Sequence, residues 1–352
     1  MQKRLRKLGA GLALAALTLL AVSGCGQAPS SGNSGSSGKS SGPKPVIGLS
    51  LPTQSTAVWV LDKNQMIADA KKMGIDLRVQ VANDDSGQQL SQCESLINQG
   101  VKVLIVAPND AQAAAAIIQQ AHAAKIKVIS FDRLITGADD DLYVSFDNEK
   151  VGELQGKYLT QHAPKGNYIV MSGDPTDNNA LLFKKGAMKY IQPLVAKGDV
   201  HIVADQAIQG WQPDNAMKIV ENALTLAKNN VQGILAPNDD TAGAAIQALA
   251  AQGLAGKVVV TGQDATLSGA QRILAGTQSM TVFKDTRVED QAAMDAALKM
   301  AEGKTPATNG TINNGKIEVP SVLLTPVVVD KSNLDKVLID SGYLKKADVY
   351  KK

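Results

Sequence analysis

Residues 103–133 read VLIVAPNDAQAAAAIIQQAHAAKIKVISFDR, and this stretch decides the fold. Val103-Leu104-Ile105-Val106 is an unbroken apolar run, closed by Ala107-Pro108-Asn109-Asp110. A strand with one wet face alternates apolar and polar residues. An unbroken run instead predicts a strand covered on both faces. Ala111 to Ala124 is Ala-rich and predicts a helix. Val128-Ile129-Ser130-Phe131 is a second buried strand, ending at Asp132-Arg133. Strand, helix and strand in this order make one unit of a parallel sheet.

The cadence extends both ways. Upstream, Val46 to Leu51 and Leu77 to Val81 read as strands, Val58 to Met73 and Gln88 to Asn98 as helices, with Gly100 as a stop. After Asp147 it restarts. Helices are predicted at Val151–His162, Ala180–Leu194, Pro213–Asn229, Ala242–Gln252 and Thr286–Glu302. Strands are predicted at Asn167–Met171, His201–Asp205, Gly233–Ala236, Val258–Gly262 and Ser279–Phe283. Two such half-chains predict an α/β fold of two doubly wound parallel-sheet lobes. Ala236-Pro237-Asn238-Asp239 repeats the residues of Ala107-Pro108-Asn109-Asp110 at the equivalent turn.

The first 44 residues carry no such pattern. Lys3, Arg4, Arg6 and Lys7 precede an apolar stretch from Leu8 to Val22, then Val22-Ser23-Gly24-Cys25. Charge, short apolar run and small residues at a cut is the order of a secretory signal. Residues 1–25 are therefore expected to be a lipoprotein signal peptide with lipid on Cys25. Gly26 to Lys44 is Ser/Gly-rich and is expected to be a flexible tether. The folded body is then extracytoplasmic and anchored to the membrane.

The 352 residues include 44% apolar and 20% charged, and the net charge is +3. Part of that charge belongs to the leader, so no basic stripe argues for nucleic acid. The two cysteines, Cys25 and Cys93, make no disulfide framework. No phosphate loop, dinucleotide fingerprint, zinc motif or nucleophile elbow is present, so no cofactor or metal is expected, and binding without turnover is favoured over an enzyme.

Ligands of open α/β sheets sit beyond the carboxyl ends of the strands. The polar residues expected there are Asp132, Arg133, Asp177, Asn179, Asn238, Asp239, Asp264 and Lys284, with Trp59 and Trp211 nearby. Carboxylates and amide oxygens accept from hydroxyls, and Arg, Lys and Asn donate to them. The C–H face of a pyranose lies well on an indole. Each residue also has a plainer reading. Asp and Asn at strand ends often cap the next helix, and Asp239 or Asp240 is expected to cap one. Trp211 and Trp59 also read as packing residues. Arg133 is more telling, because a cap there has no use for a cation. Cys93 and the three histidines read as structural.

At these residues the chain resembles the periplasmic sugar-binding proteins of the pentose and ribose class. The matching stretches include Phe131-Asp132-Arg133-Leu134-Ile135, Val144 to Gln155, Asp177-Asn178-Asn179-Ala180, Gly210-Trp211, Asn238-Asp239, Gly262-Gln263-Asp264-Ala265 and Gly276 to Lys284. The resemblance implies two lobes joined by a three-stranded hinge, expected at 45–148 plus 281–315 and 149–280 plus 316–340. It implies a monosaccharide between them, D-xylose or a related aldopyranose such as glucose. It further implies contacts from Asp132, Arg133, Asp177, Asn179, Trp211, Asn238, Asp264 and Lys284, and stacking by Trp59. The implied partner is the permease of an ABC importer, with the binding protein itself a monomer. A sensor lipoprotein that signals to a membrane kinase is the alternative. One departure stands out: the family's arginine before the first-helix tryptophan is Val58 here.

Overall fold

The computed structural model describes residues 44–351. The expected signal peptide, Cys25 and all of the tether except Lys44 lie outside the described residues. No helix among the described residues is long and apolar enough to cross a membrane.

The chain begins with β1 (Val46–Leu51), α1 (Ala57–Met73), β2 (Asp76–Val81), α2 (Ser86–Asn98), β3 (Val103–Val106), α3 (Ala115–Ala123), β4 (Lys127–Phe131) and β5 (Leu142–Phe146). It then passes to α4 (Asn148–His162), β6 (Gly166–Ser172), α5 (Asn178–Ala196), β7 (Val200–Ala207), α6 (Pro213–Leu226), β8 (Gly233–Leu235), α7 (Asp239–Ala251), β9 (Val259–Val260), α8 (Leu267–Ala275) and β10 (Met280–Phe283). It ends with α9 (Thr286–Ala301), β11 (Gly310–Asn313), β12 (Glu318–Leu324) and β13 (Val327–Asp330), followed by a C-terminal segment.

Seven strands form the first sheet, in the order β11-β12-β5-β4-β3-β1-β2. All pair in parallel except the edge strand β11. The second sheet is β7-β6-β8-β9, parallel throughout. A parallel bridge from Gln263 to Val282 sets β10 beside it, and β13 pairs antiparallel with β10.

The unbroken apolar runs do what their composition requires. Every residue of β3 is buried. One face of the first sheet packs on α1 and α9 through Trp59, Met66, Ala293 and Ala297, the other on α2 and α3 through Cys93, Leu96, Ile117 and Ile118. Each large apolar side chain fully buried in this way contributes about 1.5–3 kcal/mol.

The lobe boundaries differ from the expected ones. Met280–Phe283 belongs to the second lobe, where Met280 and Val282 pack with Val151 and Phe183. The crossing comes at Lys284–Asp285 rather than at 280–281. The expected boundary after 315 falls inside the β11–β12 hairpin, and backbone pairing of β12 with β5 keeps that hairpin in the first lobe. The chain thus crosses between lobes after β5, after β10 and after β12. The predicted helix from Ala111 also starts late. Residues 111–114 form turns, because the Asp110 carboxylate accepts from the backbone N–H of Gln112 and Ala113.

One close approach sets the angle of the second lobe's first two helices. A Cβ at Gly152 on α4 would sit 1.9 Å from the carbonyl oxygen of Phe183 on α5. Only glycine lets the two backbones meet there, and this seats the start of α5 at the mouth of the second sheet.

Candidate functional site

The carboxyl ends of both sheets face one another across a narrow cavity. The nine residues implied by the resemblance line it: Trp59, Asp132, Arg133, Asp177, Asn179, Trp211, Asn238, Asp264 and Lys284, whereas Asp239, also expected at a strand end, does not. Thr56, Val58, Phe183 and Gln263 complete the wall. Sequence reasoning gave Phe183 and Gln263 no role. Phe183 stands one helical turn after Asn179, and that spacing was the available signal.

Asp132 and Arg133 follow β4, and Trp59 lies on α1. Asp177 and Asn179 start α5. Asn238 starts α7, Asp264 follows β9, and Lys284 follows β10. Three of these residues hold left-handed backbone: Asp132 at φ 54°, Trp211 at φ 57° and Asp264 at φ 92°. Such conformations cost on the order of 1–3 kcal/mol and cluster at functional sites. Here they turn strand ends sharply, and the N–H groups of Asp132 and Asp264 are held by the carbonyls of Val144 and Val282.

Two ion pairs cross the cavity floor. Arg133 Nε lies 2.8 Å from Asp177 Oδ2, joining the first lobe to the second. Lys284 Nζ lies 2.8 Å from Asp132 Oδ2 and 4.0 Å from Asp264 Oδ1. The Arg133 guanidinium also sits 5.2 Å from the Trp59 ring centroid, a cation–π contact. Trp211 Nε1 donates to Asp177 Oδ2 over 3.2 Å. The Trp211 turn is held by Asp174, whose carboxylate accepts from the Gly210 N–H. Gly173 must lack a side chain, because its Cβ would lie 2.0 Å from the Trp211 ring.

The cap and cavity readings turn out to coexist. Asp177 Oδ1 caps α5 through the N–H of Asn179, while Oδ2 serves Arg133 and Trp211. Asn238 caps α7 in a reciprocal box with Thr241, and its Oδ1 faces the helix. Asn238, not Asp239 or Asp240, is therefore the cap. Asp239 is instead fully buried, accepting from Gln278 and Thr266. Asp264 is no cap either, since Thr266 caps α8. Among the described residues the Asp264 carboxylate accepts no hydrogen bond, and Asn238 Nδ2 donates none.

Burial pushes the Asp264 carboxyl up to about 7, against the opposing charge of Lys284. Burial also raises Asp177, partly offset by Arg133. The Lys284 ammonium is disfavoured by burial, but Asp132 and Asp264 outweigh this and hold its pKa above the ordinary value. Behind Lys284, burial and then the charge of Asp132 keep Asp62 and Glu289 well above the ordinary carboxyl range. Among the described residues no group of three or more acidic, His or Cys side chains is arranged to hold a metal ion.

Known proteins fit this geometry. Residues 47–305 match the model of the periplasmic binding protein domain family. The D-xylose-binding periplasmic protein of Escherichia coli is 45% identical over 303 residues, covering 86% of this chain and 92% of its own. A carbohydrate transporter solute-binding protein from Chloroflexus aurantiacus, solved with D-glucose, superposes with a TM-score of 0.83 at 36% identity, covering 87% of this chain and 98% of its own. An ABC transporter solute-binding protein from Clostridium phytofermentans, solved with β-D-glucose, gives 0.80 at 31%, with coverages of 86% and 99%. With its matching fold and its cavity between two lobes, this chain belongs to the periplasmic binding protein family.

Proposed function

We propose that this protein is the extracytoplasmic sugar-binding component of an ABC importer, tethered by lipid on Cys25, and that one monosaccharide fills the cavity. The observation that carries the reading is the set of unfilled partners on the cavity wall. Among the described residues the Asp264 carboxylate accepts no hydrogen bond and the Asn238 amide nitrogen donates none, while Asp132, Arg133, Asp177 and Lys284 stand beside them in fixed geometry. A sugar hydroxyl both donates and accepts, so it serves both kinds of group at once. Trp59 and Trp211 offer apolar surface for the C–H face of a pyranose. The relatives solved or named with D-xylose and D-glucose support an aldopyranose. Contacts to both lobes favour the closed form, which a membrane transporter would read.

Calorimetric titration with D-xylose, D-glucose, D-ribose, L-arabinose and D-galactose tests this. One-to-one binding of xylose or glucose, with the sugar recovered unaltered, is expected. A flat trace for all five would overturn the assignment. Lipid attachment is checked separately by mass spectrometry of the mature N-terminus, where Cys25→Ser abolishes the added mass.

A further inference from the structure

Tyr143 and Asn148 do not border the cavity, yet hydrogen bonds tie them to two residues that do. Tyr143 lies on β5, Asn148 begins α4, and the first crossing between lobes runs between them. Both are buried, with 1% and 3% exposure. The carbonyl oxygen of Asp132 accepts from Tyr143 OH at 2.7 Å, from Ser145 Oγ at 2.7 Å and from Asn179 Nδ2 at 2.9 Å. Asn148 Nδ2 donates to Tyr143 OH at 2.9 Å and to Asn179 Oδ1 at 3.0 Å.

The proton count fixes every orientation. Tyr143 has one hydroxyl hydrogen, and the shorter contact gives it to Asp132 O. Asp132 offers only acceptors to Asn179, so the Asn179 nitrogen must face Asp132 and its oxygen must face Asn148. Asn148 must then present its nitrogen. Among the described residues this leaves Asn148 Oδ1 buried without a partner. Asp132, Tyr143 and Ser145 belong to the first lobe, Asn179 to the second, and Asn148 stands at the crossing. A rotation about the crossing that parts the lobes would separate Asn179 from Asp132 and break the network.

We infer that Tyr143 and Asn148 are positioning residues for ligand binding, holding Asp132 and Asn179 in register across the lobes so that the closed cavity is complete. This rests on the reading of the cavity as the sugar site. The network holds the left-handed turn of Asp132 from behind, and the Asp132 carboxylate then meets Lys284 in front.

The test uses the full mature chain and the sugar that the wild type binds most tightly. Tyr143→Phe keeps the ring packing and removes only the hydroxyl, and Asn148→Ala removes the hub. Each is expected to weaken affinity about tenfold, mostly through faster release. X-ray scattering should show a smaller compaction on adding sugar. The unfolding midpoint without sugar reports any purely structural role. Variants that bind and compact like the wild type would overturn the inference, as would a lower sugar-free midpoint with unchanged affinity. A wild type that binds none of the five sugars would instead overturn the reading of the cavity.

Discussion

Two regions of this molecule carry dense charge, and they use it in opposite ways. On the outer face of α4 and α5, Lys189 pairs with Glu149 and Glu153, Lys185 with Glu149, and Lys150 with Glu153. The lysine side chains there are 46–64% exposed. In the cavity, Arg133 and Asp177 are 10% and 2% exposed, and Lys284 and Asp132 5% and 12%. Water screens the first set and makes each pair nearly neutral in free energy. The second set is buried. A buried pair adds little net stability, but removing one member strands the other. Charge spacing alone does not tell these cases apart; burial does.

The largest expected effect follows from breaking the pair that joins the lobes. Arg133→Ala leaves Asp177 buried with Trp211 Nε1 and the Asn179 N–H but no counter-charge. Loss of one partner of such a pair costs about 3–5 kcal/mol, so sugar binding should vanish from a calorimetric titration and the unfolding midpoint should fall. The deficit should shrink in acid, where Asp177 can take a proton. A variant that binds sugar normally would show that the cavity pair is no more consequential than the surface ones.

A smaller effect separates Asp264 from both sets. Its carboxylate lies 4.0 Å from Lys284 Nζ, farther than the 2.8 Å of Asp132, and burial raises Asp264 from an ordinary 3.8 to about 7. Between those values the folded protein binds more protons than the unfolded chain. Its stability through this group therefore falls as pH rises from about 4 to about 7, and levels off above. Asp264→Asn lacks that slope. In denaturant titrations of the sugar-free proteins, the variant should gain on the wild type across that window and then hold steady. A difference independent of pH would mean that Asp264 is ionised throughout, like a surface carboxylate.

Much of this was legible in the sequence. Continuous apolar runs such as Val103–Val106 carry the parallel sheets. Turns after the strands carry most of the nine expected residues that line the cavity, and α1 carries Trp59. What the sequence hid is the pairing of distant segments. The β11–β12 hairpin returns to β5 through backbone bonds, which no side-chain pattern announces. The repeated Ala-Pro-Asn-Asp shows the limit most clearly. Asn238 caps α7 at once and borders the cavity. Asn109 takes Gln89 Oε1 on its backbone N–H, and α3 waits until Ala115. Identical residues take different work from where the following helix begins. Gly173 and Asp174, which seat Trp211, were likewise invisible, because they act on a ring distant in sequence.

The smallest effect is the sharpest control. Lys189→Ala removes two ion pairs at once, yet Lys185 still reaches Glu149 and Lys150 still reaches Glu153. Beneath them the helices are held by backbone contact at Gly152 and at Gly186, where a Cβ would lie 2.0 Å from the carbonyl oxygen of Glu149. That seam does not depend on charge. The variant should therefore match the wild type in unfolding midpoint and in sugar titration, at low salt as well as high. A loss of affinity, above all one that salt removes, would mean that the outer face of α4 and α5 is coupled electrostatically to the cavity through the start of α5. The division between screened and unscreened charge would then fail at the helix that carries Asp177 and Asn179.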